Sequence, residues 1–135
     1  MDKKLNIKIY GVTTVGPKGQ VIIPRDCRPE FGINIGDDRP IITIDNIAFG
    51  LPNPDNGDEI CEDGELDEKS IDCFGSVKIG TKHQFVIPSE IRSALGIKSG
   101  DSLVVIGKEG EGIGFVRNDN IDYFFAIIKK KLSSV

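Results

Sequence analysis

Histidine is almost missing from this chain: His83 is the only one among 135 residues. His83, Ser89 and Ser93 form no evident nucleophile set, so an enzymatic role is not expected. Cysteine is scarce too, and Cys27, Cys61 and Cys73 form neither Cys-x-x-Cys nor any Cys/His ligand spacing, which argues against a zinc site or a disulfide framework. All three read as reduced thiols, with Cys27 a core residue because it aligns with Ile91 in the repeat described below. The acids lack calcium-loop spacing, and no metal or other cofactor is expected. Long apolar runs are also absent. The longest, Phe124 to Ile128 with Tyr123 before it, is far short of the roughly 20 residues that cross a bilayer. Lys3 and Lys4 precede the alternating segment Leu5 to Tyr10 rather than the continuous apolar stretch of a signal peptide, so a cytoplasmic location is expected.

What is abundant is glycine, with sixteen, and proline, with seven, a composition that favours short strands and turns. The net charge of −4 argues at first sight against a polyanionic partner. Its distribution reverses that impression, because residues 52–68 hold eight acids and no base, leaving the rest of the chain at +4. The acidity belongs to a linker.

On either side of that linker the chain repeats itself. Val15-Gly16-Pro17-Lys18-Gly19-Gln20-Val21-Ile22-Ile23-Pro24 returns as Ile79-Gly80-Thr81-Lys82-His83-Gln84-Phe85-Val86-Ile87-Pro88. At a constant offset of 64, twelve of the 31 positions from Ile7 to Asp37 are identical. Each copy of roughly 45 residues is near the size at which a lone core is inadequate, so neither is expected to fold alone. Within a copy, Leu5, Ile7 and Ile9 alternate with polar neighbours as in a strand with one buried face. A turn carrying Lys18 or Lys82 follows, then a second strand at Val21–Ile23 or Phe85–Ile87. Pro24 and Pro88 suit a helix start. Ile91, Ala94 and Leu95 give the second helix an inward face, while Pro29 predicts an irregular first helix. A hairpin completes each unit, and matching Ile47 and Phe49 to Ile113 and Phe115 makes the second hairpin two residues longer.

The sequence of elements, with Gly-x-Lys-Gly-Gln-Val-x-Ile-Pro, a short helix, Gly-Ile-x-x-Gly-Asp and a hairpin, resembles the AbrB/MazE-type swapped-hairpin family, also called SpoVT-AbrB domains. The resemblance covers both copies. It implies a mostly β fold in which two tandem repeats exchange hairpins as a pseudo-dimer and close one β-barrel, with one short helix per repeat and, here, a C-terminal helix added. The expected segments are repeat 1 at 5–51, the acidic linker at 52–68, repeat 2 at 69–117 and a helical tail at 118–135. The resemblance further implies a transcription regulator that binds double-stranded DNA. By position, the family's polar turn falls on Lys18 and Gln20 and on Lys82, His83 and Gln84, and its helix arginine falls on Arg28 and Arg92. Arg25 approximates a common lysine that Ser89 replaces in the second copy, and His83 replaces the usual turn glycine.

The chemistry of these residues fits independently. Lys and Arg neutralise phosphates, while Gln and Arg pair with adenine and guanine edges. A second class of function is an antitoxin-like module that holds a toxin or other protein with its acidic linker or tail. In the tail, Ile121, Phe124, Phe125, Ile128 and Leu132 fall on one helical face after Asn118-Asp119-Asn120, a stripe suited to covering the molecule's own surface or to joining copies in a homo-oligomer.

Overall fold

The computed structural model describes residues 7–53 and 71–126. The acidic linker, apart from its first two residues, and the tail beyond residue 126 lie outside them. Alternating side chains build β1 (Ile7–Thr14) and β5 (Ile71–Lys78) at the start of each copy. Three-residue strands follow the turns, β2 (Gln20–Ile22) and β6 (Gln84–Val86). The short helices are α1 (Cys27–Glu30) and α2 (Ser89–Leu95). The hairpins are β3 (Asp38–Ile44) with β4 (Ala48–Pro52), and β7 (Ser102–Lys108) with β8 (Gly112–Arg117). A 3-10 turn, Asn118–Asn120, leads into α3 at residues 121–126. Pro29 inside α1 removes a backbone donor, and that helix has four residues against seven in α2.

The repeats do not form separate layers; they interleave. Six strands run antiparallel in the order β1-β7-β8-β4-β3-β5, so the first strand of each copy pairs with the hairpin of the other. Gly50 faces Gly114 at the centre of the β4–β8 ladder, and the pairs on either side exchange under the 64-residue offset, marking a pseudo-dyad. The two hairpins are equally long, since Ile44 pairs with Ala48 and Lys108 with Gly112. This corrects the expected two-residue insertion. The apolar match that suggested it, Phe49 with Phe115, is a pair across the dyad rather than an equivalence between copies.

The ladder does not close on itself: β1 and β5 end the six-stranded sheet, and β2 and β6 form a separate two-stranded ribbon. Turns 16–19 and 80–83 lift these short strands away from β1 and β5, with Gly16 N–H donating to Gln20 O and Gly80 N–H to Gln84 O. The fold is therefore mostly β, with an open six-stranded sheet, a ribbon and short helices.

One face of the sheet, the ribbon and both helices enclose the main core, which includes Val21, Ile23, Phe49, Leu51, Phe85, Ile91, Leu103 and Phe115. Phe49 stacks on Phe115 with centroids 4.9 Å apart, and Phe85 sets its edge against Phe115 at 5.5 Å. The opposite face carries a smaller cluster in which Ala48, Val104, Ile106 and Val116 pack with Phe124, and with Ile121 and Phe125 at its margin. The described part of the tail thus covers the sheet of its own molecule. Ile128 and Leu132 lie outside the described residues.

Two expectations about facing are corrected. The face of β1 that carries Ile7 and Ile9 looks to the smaller cluster, where Ile7 packs but Ile9 is 57 % exposed, while Tyr10 packs on the main core; a register shift between Ile9 and Gly11 then reverses the facing of the rest of the strand. On α2, Ile91 and Leu95 are buried but Ala94 is exposed. Cys27 is a free buried thiol, as expected, and burial pushes its pKa up to about 11. Cys73 is disulfide-bonded, against its reading as a reduced thiol.

Candidate nucleic-acid interface

The ribbon sets the frame of the site. Gln20 pairs with Val86, Val21 with Phe85 and Ile22 with Gln84. Val21 and Phe85 point into the core, which leaves Gln20, Ile22, Gln84 and Val86 on the outer face. Two further backbone bonds extend the ribbon, Ile23 N–H to His83 O and Ile87 N–H to Gly19 O, both at 2.9 Å. The turn of each copy is thereby tied to the strand end of the other. Lys18 and Lys82, one on each turn, are exposed and have no ion-pair partner among the described residues.

The glutamines have a structural task. Gln20 Oε1 accepts from Lys18 N–H at 2.9 Å and Gln84 Oε1 from Lys82 N–H at 2.8 Å. Their side chains lie against Gly16 and Gly80 so closely that a Cβ there would come within 2.6 and 2.7 Å. With Oε1 engaged, bidentate pairing to adenine requires the turn to give up that bond.

The helix arginines are anchored in the same way in both copies. Arg28 Nε donates to Ile23 O and Arg92 Nε to Ile87 O, each at 3.0 Å. Their Nη groups hold no hydrogen bond among the described residues. Each guanidinium is thus held at one edge with its outer donors available, a geometry suited to phosphate or guanine. The Arg92 side chain also covers the opposite turn, because a Cβ on Gly19 would lie 2.8 Å from Arg92 Nε. His83 occupies the equivalent of Gly19 and adopts the same left-handed backbone, φ 56° against 81°. A non-glycine residue is strained there by roughly 1–2 kcal/mol.

Arg25 is exposed just before α1, and Ser89, its counterpart by offset, opens α2. All eight residues expected for the site, Lys18, Gln20, Arg25, Arg28, Lys82, His83, Gln84 and Arg92, lie on the two turns, the ribbon strands and the helices beside them. Sequence reasoning passed over Ile22 and Val86, which are 50 % and 53 % exposed at the centre of the same surface. Strand alternation was the available signal, because both precede a buried isoleucine and follow a buried core residue.

The arrangement defines a two-repeat, mostly β protein with a two-fold related cationic surface. No protein-family model matches the chain, and no curated relative matches it. Among solved structures it is similar to the solution structure of PHS018 from Pyrococcus horikoshii, with 23% identity over 82% of this chain and 90% of that one and a TM-score of 0.41.

Proposed function

We propose that this chain is a duplex-DNA-binding transcription regulator of the swapped-hairpin kind, its two repeats acting as the two halves of a single-chain dimer. The observation that carries the reading is the repetition of Lys18 with Arg28, and of Lys82 with Arg92, about the antiparallel β2–β6 ribbon. Cations on both sides of a dyad suit the two strands of a near-palindromic duplex. The cross-pairing of β1 with β7 and β5 with β3 supports the exchanged-hairpin reading.

The lysines make the better test, since truncating Arg28 or Arg92 also removes a bond to a strand carbonyl. Fluorescence anisotropy on a labelled random-sequence duplex pool, across a salt series, should show weaker binding by Lys18→Ala/Lys82→Ala. The log–log salt slope should fall by about 0.9 for each phosphate that the variant no longer neutralises. Native and variant proteins that match at every salt concentration would reject the assignment.

A further inference from the structure

We propose that the outer face of the β2–β6 ribbon enters the major groove and that Ile22 and Val86 read thymine 5-methyl groups. This inference rests on the DNA-binding reading and names the bases that the surface prefers. An exposed isoleucine and valine at the centre of a cationic surface call for an apolar partner inside a polyanionic one, and the thymine methyl in the major groove is that partner.

The geometry agrees on three counts. A two-stranded ribbon fits the major groove, which is about 12 Å wide. Ile22 and Val86 lie diagonally on the ribbon, in the rows Ile22–Gln84 and Val86–Gln20. Diagonal neighbours on one sheet face are about 7–8 Å apart, a span of two to three base pairs at roughly 3.4 Å each. The pseudo-dyad relates the two side chains, so each addresses one strand of the duplex. Gln20 and Gln84 beside them spend Oε1 on the turns, which leaves the apolar pair as the part of this face that can discriminate without rearrangement. Lys18 and Lys82, one on each turn, supply the charge that holds phosphates while the ribbon sits between them.

The test compares two duplexes of equal length, alternating dA-dT and alternating dA-dU, at one fixed salt concentration. They differ in the 5-methyl alone, and every base pair of the first carries one, so a methyl is available in any register. The native protein should bind the dA-dT duplex more tightly, by about four-fold for each methyl engaged, which corresponds to about 0.8 kcal/mol. Ile22→Ser/Val86→Ser, with both changes at exposed positions, should bind the two duplexes alike while keeping the native salt slope. Equal affinity of the native protein for both duplexes overturns the methyl readout and leaves DNA binding intact. A double variant that discriminates as the native protein does also overturns it. Binding to neither duplex at any salt removes the DNA reading itself, and the apolar pair then belongs to a protein interface.

Discussion

Two arginines hold the carbonyl ends of the short helices, and they reach them from different places in the repeat. Arg39 Nη1 donates to Phe31 O and Gly32 O, and Arg117 Nη1 to Leu95 O and Gly96 O, pairs of carbonyls that correspond under the 64-residue offset. The arginines themselves do not correspond. Arg39 takes the position of Leu103, and Arg117 is the cross-strand partner of Leu103. Arg39 is 1 % exposed, donates also to Pro52 O, and leaves its Nε without a partner among the described residues. Burial lowers its pKa, with Asp37 opposing. The offset sets Arg39 against Leu103, an inward position, but the sequence does not show what would satisfy a buried guanidinium there, because its acceptors are backbone atoms from other elements. Removing Arg39 takes this donor from Phe31 O and Pro52 O at about 1–3 kcal/mol each, while Gly32 O keeps Asn34 Nδ2, so Arg39→Ala is expected to lose about 2–4 kcal/mol after relief of the buried charge. Arg117→Ala, at a more exposed site shared with Asp119, should lose about 1 kcal/mol. Urea midpoints at constant m-value measure both. Equal losses would show that burial does not set the difference.

At the scale of elements, the order of strands, turns and helices was legible because turn glycines, helix-opening prolines and strand alternation occur twice in one register. The facing of β1 was not, since a bulge reverses it partway along and leaves no mark beyond a glycine. Ahead of the bulge, Lys8 and Tyr10 share the face toward Glu30 of α1, where Tyr10 Oη donates to Glu30 Oε2 and Lys8 Nζ lies 3.3 Å from Glu30 Oε1. Phe74, Ala94 and Asp72 stand at the equivalent positions, so the second copy lacks the cluster. The tyrosine's hydrogen bond, followed by Lys8, depresses the Glu30 pKa, while burial first and the Glu30 bond second raise that of Tyr10. A depressed carboxylate contributes stability above its unfolded pKa of about 4.3 and loses it as pH falls through the lower folded value. The raised Tyr10 contributes below its unfolded value of about 10 and loses that contribution as pH rises. Glu30→Gln should therefore melt below the native protein at neutral pH, with the gap in Tm closing once pH drops under about 4. A gap that stays constant down to pH 2 would exclude a charge-dependent role for Glu30.

For the molecule as a whole, the copies have diverged so that each completes the other. At the centre, the first copy supplies Val21, Phe49 and Leu51, and the second supplies the counterparts Phe85, Ile113 and Phe115. The observed pairing thus has three phenylalanines, where two first copies would bring two and two second copies four. The rim is matched as well. Gly107 on β7 lies under Tyr10 and Phe31 of the first copy, and a Cβ there would sit 2.6 Å from Tyr10 Cε2 and 2.7 Å from Phe31 Cζ. The residue equivalent to Gly107 is Thr43, which is buried beside the second copy's β5. Pairing two first copies would set Tyr10 and Phe31 against a threonine, whereas pairing two second copies would crowd four phenylalanines and leave a gap above Gly107. The repeat was legible in the sequence; this size complementarity emerges only with the register in hand. Gly107→Thr, which installs the equivalent residue, should destabilise the chain by about 1–3 kcal/mol through overpacking. Halves comprising residues 1–53 and 54–135, prepared separately and mixed, should regain one cooperative unfolding transition and run as a one-to-one complex, while neither does so alone. A half that assembles with itself as stably as with its counterpart would show that the divergence does not direct the pairing.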